Sequence, residues 1–402
     1  MSLPNQAVSQ RAVEAFLNGI VFQLYARAKG ESATRLTVPV IADGNAVRTV
    51  LTNPAQFPKS MGLIGSLGNS RFNTNGSEWE TRRDLTQKFY LSAGSSHSTS
   101  TVAAIYHARL ARCDATRDSI QRALMLAATE VFFGALDCEV DVERFYHVFD
   151  RARQHVKRLQ YFSWNLASES DAHALNEEAG ELADAFGAEV ERSPQLGSLM
   201  TAFRSRARGL PGFNPHDELL MKFFAGIETT AATLSFAIDR LGVDPRVQQR
   251  LHDEIAANQG EPYLNCFIQE TLRYFPTVPF VVRETASEVV LEGNLLASGQ
   301  PLLISIVGLH HDPANWSDPD IFDCSRAEFL NDSYDRRAFL PFLAGPRMCG
   351  GARLARVELI EGFKAVIRQF SVKGGSDEIG FDYGLALRPR ASAPLAIARR
   401  AL

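Results

Sequence analysis

The chain has 402 residues, with 42 lysines and arginines against 46 aspartates and glutamates, a formal charge of −4, and 45% apolar and 22% charged residues. These proportions exclude a disordered chain, a collagen-like fibre and a small disulfide scaffold. A sequence pI of about 6.2 argues against a general nucleic-acid binder, which would be basic.

In chain order, the first thirty residues carry no long apolar stretch: Ile20-Val21-Phe22 is broken by Gln23, and Arg27 and Lys29 follow. A spanning helix needs about 20 apolar residues, and a secretory leader needs an apolar run with a small-residue cleavage site. The expectation is therefore a cytoplasmic protein with no membrane anchor. The β-branched stretch Arg35 to Ala42 predicts a strand, Asp43-Gly44 a turn, and a helix is expected next, stopping at Asn53-Pro54. From Ser98 to Leu241 helix formers dominate with 3.6-residue apolar spacing, as at Leu124, Ala127, Ala128, Val131 and Phe132. Gly209-Leu210-Pro211-Gly212 reads as a loop. Asn214-Pro215-His216-Asp217 then opens a helix running to Leu241-Gly242. Beyond Glu284 the chain turns β-like at Val289–Leu291 and Leu302–Val307, and it ends with a helix from about Ala352 to Phe370 and a β-rich tail. The fold class is mainly α with minor β gathered at the two ends. At about 150 residues per domain the length suggests two or three domains, yet no linker, repeat or boundary divides residues 1–402.

Five cysteines, Cys113, Cys138, Cys266, Cys324 and Cys349, are odd in number, scattered and never in a C-x-x-C pair. That pattern predicts reduced thiols and no zinc site of the usual spacing. Cys349 differs from the others in its surroundings, Phe342-Leu343-Ala344-Gly345-Pro346-Arg347-Met348-Cys349-Gly350-Gly351. Three glycines and a proline predict a tight loop, and a helix begins directly after it. A thiolate there would be favoured by backbone N–H groups, the helix dipole and Arg347. Such a loop suits a large flat ligand that must reach the sulfur; the plainer alternative is a structural cysteine in a turn.

The string F-x-x-G-x-R-x-C-x-G, met at Phe342, Gly345, Arg347, Cys349 and Gly351, resembles the haem-binding loop of the cytochrome P450 superfamily. The resemblance implies haem b (iron protoporphyrin IX) as cofactor. Cys349 would be its axial thiolate and metal ligand, favouring O–O cleavage. Phe342 would pack near the sulfur and Arg347 would pair with a haem propionate. A second string, Phe224-Ala225-Gly226-Ile227-Glu228-Thr229-Thr230, lies inside the predicted helix. The Thr229 hydroxyl can bond back to the Ala225 carbonyl and bend the helix, while Ala225 and Gly226 leave room for a ligand. Close packing of small residues is the alternative. The string resembles the superfamily's oxygen-binding segment, in which Glu228 and Thr229 would be the catalytic proton donors.

Glu270-Thr271-Leu272-Arg273 places an acid and a base on one helix face, most simply a surface pair. It is similar to the superfamily's buried ion-pair motif, whose further arginine would be Arg326, with a folding role. Trp79-Glu80-Thr81-Arg82-Arg83 is similar to the superfamily's W-x-x-x-R helix, so Trp79 and Arg83 would hold propionates, and Arg283 sits where another propionate arginine is expected. Two buried carboxylates require paired charge, although the default for each arginine is a solvated surface residue. His310-His311 stands where many relatives carry Asn-Arg and is read as structural.

The resemblance runs from about Val50 to Pro389. It implies a single triangular haem-thiolate monooxygenase domain with small sheets near the N-terminus and in the C-terminal half. The implied activity is insertion of one oxygen atom from dioxygen into a lipophilic small molecule, such as a terpenoid or fatty acid. A gas sensor or carrier without turnover and a peroxide-driven oxygenase are the alternatives. Pocket walls by position would be Met221, Phe224, Ala225, Thr229, Val278, Phe280, Val281 and the tail around Ala391-Ser392. Lys222, two turns before Thr229, would meet a substrate carboxylate or reach water along the helix edge. No strand is followed by G-x-G-x-x-G, so electrons are expected from a separate ferredoxin or flavodoxin with its NAD(P)H-dependent reductase. Arg82, Lys88, Arg353 and Arg356 are the candidate docking charges.

Overall fold

The computed structural model describes residues 9–31, 36–60, 62–96, 99–165, 168–207, 210, 212–376, 378, 380–390 and 394–400. The expectations at Arg35, Gly209, Pro211 and Ala391-Ser392, and the Lys88 side chain, lie outside what is described.

The chain opens with α1 (Gln10–Ala28), the two-residue strand β1 (Val40–Ile41) and α2 (Gly44–Thr52). Asp43-Gly44 is a helix start and not a turn: the Asp43 carboxylate accepts the N–H groups of Asn45 and Ala46 at 2.9 Å, which relieves two of the first turn's unpaired donors. A 3-10 turn at Gly62–Leu67 leads to the long helical run α3 (Gly76–Ser96), α4 (Thr99–Ala111), α5 (Arg117–Gly134), α6 (Val142–Trp164), α7 (Glu169–Glu191), α8 (Pro194–Arg206), α9 (Pro215–Val243), α10 (Pro245–Ala257) and α11 (Pro262–Tyr274). Helices α8, α9 and α10 share one start signal. Ser193, Asn214 and Asp244 accept a first-turn N–H, and a proline follows each, where its missing N–H costs no hydrogen bond.

The β elements follow as β2 (Phe280–Glu284), β3 (Val289–Leu291), β4 (Asn294–Leu296) and β5 (Pro301–Ser305). The expected strand through Val307 stops at Ser305. Its hydroxyl accepts the Gly308 N–H at 2.8 Å and starts α12 (Ile306–His310). After α13 (Ala327–Leu330) and α14 (Ala352–Gln369) come β6 (Phe370–Gly374), β7 (Phe381–Tyr383), β8 (Leu387–Pro389) and β9 (Leu395–Arg399). β5 lies between β1, parallel to it, and β2, antiparallel to it; β3-β4, β6-β9 and β7-β8 are separate antiparallel pairs.

Helix α9 is the axis of the molecule. It is buried along most of its length and lies against α5, α14, α11 and β8. Between it and α5, α6 and α7 the Phe223 ring sits within 5.6–6.0 Å of Phe133, Phe145, Phe149, Phe186 and Phe224. Each such ring removed from water contributes about 1.5–3 kcal/mol. This packing fixes α9 against α5, α6 and α7.

Candidate active site

The Cys349 loop is held by its own backbone and by α2. Leu343 and Gly345 take left-handed φ values of 60° and 72°. A side chain at Gly345 would collide with the Leu51 carbonyl at the end of α2, so glycine is required there on both counts. The Cys349 N–H donates to the Phe342 carbonyl at 2.9 Å and the Met348 N–H to Gly345 at 3.1 Å. The Phe342 ring lies 4.7 Å beneath the Arg356 guanidinium. Gly351 precedes α14 with an ordinary φ of −92°. A Cβ there would meet nothing nearer than the Cys349 sulfur at 4.0 Å, so glycine leaves the approach to the thiol open. Cys349 keeps accessible surface although protein packs densely around it. Burial pushes its thiol up, more than the Gly351 N–H, Arg356 and Lys59 pull it down; the expected lowering by the helix start is outweighed.

Beside the thiol is a group of cations. Arg347 is 9% exposed and donates to the carbonyls of Thr74 (2.6 Å) and Arg71 (3.3 Å) and to Asn75 Oδ1 (3.1 Å), with its guanidinium 4.0 Å over the Trp79 ring. Arg283, 3% exposed on β2, donates Nη1 to the Val282 carbonyl. Burial lowers both guanidiniums to about 10, and for Arg347 the like charges of Arg283 and Arg71 add to it. Lys59 pairs in a backbone bridge with Arg283. Its ammonium is held far below the usual lysine range by burial, then by Arg283, Arg347 and Arg71. Among the described residues no carboxylate lies within 4 Å of Lys59, Arg283 or Arg347, and buried Arg283 Nη2 and Arg347 Nε have no acceptor.

Arg83 also lies over the Trp79 ring, at 5.0 Å, but pairs with Asp84 at 2.9 Å and is 37% exposed. Its neighbour Arg82, expected as a docking charge, is buried against Glu218 at 3.1 Å and Glu78 at 2.9 Å.

On α9, the Thr229 hydroxyl donates to the Ala225 carbonyl at 3.3 Å. Gly226 is exposed, with the Phe132 ring of α5 at ordinary contact distance. Glu228, 2% exposed, turns to the other flank, where Arg388 Nε is at 3.2 Å and Arg153 Nε at 3.8 Å. Burial raises its carboxyl and Arg388, Arg153 and Lys157 lower it. Glu228 Oε2 has no partner among the described residues. It lines a polar cavity of about 260 Å³ with Asp118, Gln121, Asp150, Arg153 and Arg388, space enough for several waters.

A family model described as Cytochrome P450 matches residues 214–391. Cytochrome P450 2J2 of Homo sapiens is 32% identical over 206 residues, covering 46% of this chain and 41% of the relative. Cytochrome P450 4V2 of Mus musculus is 30% identical over 277 residues, covering 63% and 53%. A zebra fish cytochrome P450 structure with progesterone superposes with a TM-score of 0.74 at 21% identity, over 95% of this chain and 99% of that one. The family model, the curated relatives and the solved structures together support the cytochrome P450 superfamily. The chain spans about half the length of the curated relatives it matches, and the P450 fold is mainly helical with small sheets, as here.

The P450 cofactor is haem b, and the residues present fit it. A dicarboxylate macrocycle needs buried donors without acceptors, and Arg283 Nη2 and Arg347 Nε are such donors. It also needs an accessible sulfur, which Cys349 provides. Below this site Glu270 is fully buried between Arg273 (2.7 Å) and Arg326 (2.8 Å). His310 and His311 are buried: His310 Nε2 accepts the Leu340 N–H at 3.0 Å, and His311 Nε2 lies 3.1 Å from the Tyr274 carbonyl. No cluster of metal-ligating side chains occurs among the described residues.

The expected pocket residues fall into three separate apolar clusters. Met221 and Phe224 pack in the helical core, Phe280 packs against Trp164 and Tyr383, and Val281 lies with the β1-β5-β2 group. Val278 is half-buried. Lys222 lies 5.3 Å over the Phe203 ring of α8. Burial lowers it to about 8, while Glu218 one turn back raises it. The motifs assign no role to Lys59, Arg153 or Arg388, although Leu387-Arg388-Pro389 marks the end of the resemblance.

Proposed function

We propose that the chain is a haem-thiolate monooxygenase that oxidises a lipophilic small molecule with dioxygen and two electrons from a separate carrier. The observation that carries this reading is an accessible cysteine thiol beside two buried guanidiniums whose donors lack acceptors. Cys349, as thiolate, would hold the iron, and Arg283 and Arg347 would hold the carboxylates. Bound there, haem supplies the one-electron and dioxygen chemistry that side chains do not. Glu228 holds a proton at a carboxyl that burial and arginines pull in opposite directions, and water in the adjoining cavity reloads it. Thr229, next along α9, passes the proton by releasing its hydroxyl from the Ala225 carbonyl. This acid–alcohol pair favours turnover over a gas sensor, which has no use for proton delivery.

The substrate side is assigned to Ala225, Gly226, Thr229, Val278 and Val281, which keep accessible surface and are apolar apart from one hydroxyl. The progesterone in the zebra fish structure agrees with a lipophilic ligand. Lys222 is assigned to its contact with Glu218 and Phe203. Electron delivery from a ferredoxin or flavodoxin with its reductase is supported by Arg353 and Arg356, exposed on the first turns of α14, and by Met348, 53% exposed beside the thiol. No helix among the described residues is long and apolar enough to cross a membrane.

The test is the absorbance of the reduced, carbon-monoxide-bound protein, followed by oxygen uptake with a ferredoxin system. The wild type should show the thiolate-type Soret band and Cys349→Ala should lose it. A colourless wild type, or an unchanged spectrum in the variant, overturns the reading.

A further inference from the structure

The β7-β8 hairpin flanks Glu228 and carries two opposite charges in register. Asp382 and Arg388 are cross-strand partners, so their side chains leave the same face. The Arg388 guanidinium is shared between two carboxylates. Its Nη2 donates to Asp382 Oδ2 at 2.9 Å, while its Nε lies 3.2 Å from Glu228 Oε1. The same Asp382 oxygen accepts the Lys157 ammonium at 2.8 Å, and that ammonium reaches Glu14 Oε1 on α1 at 3.2 Å. Alternating charges thus run from α9 through β8, β7 and α6 to α1.

The outer part of this chain is firmly seated. Lys157 is 3% exposed, and its stem fills the space that a side chain at Gly384 would need. The Tyr383 N–H donates to Asn18 Oδ1 of α1 at 2.7 Å, which fastens the hairpin beside Asp382. Arg388 is looser: its side chain is 25% exposed, and a long side chain near water loses rotamer freedom when it is held in one place. The other charges around Glu228 have their own arrangements. Arg153 pairs with Asp150 at 3.2 Å, and Asp118, Arg122 and Tyr146 line the cavity from α5 and α6.

By its field alone Asp382 works against Arg388, since the acid raises the Glu228 carboxyl that the guanidinium lowers. As an anchor it does the reverse, keeping the stronger of the two influences within reach. We propose that Asp382 is a positioning residue for proton delivery, fixing the Arg388 guanidinium against Glu228 from the opposite strand. The inference rests on the reading of Glu228 as proton carrier and adds the group that orients its counter-charge. Lys157 and Glu14 hold Asp382 in turn.

The two roles of Asp382 predict opposite signs, which makes the test decisive. In the purified holoenzyme the Glu228 carboxyl band is followed by infrared difference spectroscopy against pH, and Glu228→Gln assigns it by its loss. Asp382→Ala should release Arg388 and move the titration midpoint to higher pH by about one unit, the low end for losing an opposite charge at this range. Asp382→Asn, which keeps an acceptor for Lys157, should move it the same way by less, and Asp382→Glu should restore it. In an Arg388→Met background the same Asp382→Ala change leaves only the field effect and should move the midpoint to lower pH. An unmoved midpoint, a move to lower pH in the single variant, or the same sign in both backgrounds overturns the assignment. The limb of the pH–rate profile of oxygen uptake should shift with the band. Unchanged turnover in Glu228→Gln would overturn the proton-delivery reading instead, and the infrared midpoints would still report whether Asp382 holds Arg388.

Discussion

Replacing Glu270 by alanine should be the most damaging single change outside the Cys349 loop. The carboxylate accepts five hydrogen bonds: Arg273 Nε at 2.7 Å and Nη2 at 2.8 Å, Arg326 Nε at 2.8 Å and Nη2 at 3.0 Å, and the Asp323 N–H at 2.9 Å. Neither arginine has water to fall back on, since both are at most 2% exposed. The arginines also collect backbone carbonyls that precede the Cys349 loop. Arg273 holds those of His310, Pro319 and Ile321, and Arg326 those of Ser317 and Ile321. Removing one partner of a buried ion pair costs about 3–5 kcal/mol because the remaining charge is uncompensated. Here Arg273 is stranded outright and Arg326 keeps only Glu328 at 3.8 Å, so the upper half of that range is expected, roughly a thousandfold in the folding equilibrium.

The contribution of charge separates from that of the carbonyl clasp. In Glu270→Gln one oxygen becomes an NH₂ group facing guanidinium donors, so the variant should fall within about 1 kcal/mol of alanine. A triple replacement by methionine or leucine at Glu270, Arg273 and Arg326 removes the stranded charge but leaves the carbonyls without donors. It should recover only part of the loss, unlike ion triads whose members touch nothing else. Denaturant titration followed by far-ultraviolet circular dichroism, with haem content in parallel, measures all three. A Glu270→Ala protein within 1 kcal/mol of wild type would show that Arg273 and Arg326 find compensation elsewhere, and the account of this region would be wrong.

Three further expectations concern the site. Gly345→Ala combines a left-handed φ with a collision against the Leu51 carbonyl; it should cost at least about 2 kcal/mol, read from the denaturation midpoint and haem occupancy. Glu358, buried on α14 with Tyr106 at 3.4 Å, is raised by burial from 4.5 to about 8. The folded protein therefore keeps that proton more tightly than the unfolded chain, and the stability it contributes below pH 4.5 is lost as pH rises towards 8; Glu358→Gln should show a flatter melting-temperature profile over that window. Arg388→Met removes the nearest positive charge from Glu228, so the Glu228 carboxyl should rise and the limb of the pH–rate profile that depends on it should move to higher pH. An unmoved limb would remove Glu228 from proton delivery.

What could be read from the residues alone follows from the range over which their signals act. The loop around Cys349 announces itself because its glycines and proline answer a local demand, such as the positive φ of Gly345, whereas the room that glycine leaves for Leu51 is a contact between distant parts of the chain. The caps at Asn214 and Asp244 are local for the same reason. Asp43 shows the limit, since Asp-Gly serves a hairpin turn as well as a helix start, and only the free N–H groups of Asn45 and Ala46 decide between them. Charge pairing is not local at all. Arg82 and Arg83 are adjacent on α3, about 100° apart around its axis, and nothing in W-x-x-x-R states that Glu218, 136 residues away, draws Arg82 inward and leaves Arg83 to Asp84. Glu228 is likewise met by Arg153 from α6 and Arg388 from the end of the chain. A motif can therefore name the group that reacts, while the groups that set its charge and its access to water are selected by which helices pack together, and that choice is made by apolar faces carrying no mark of the chemistry they assemble.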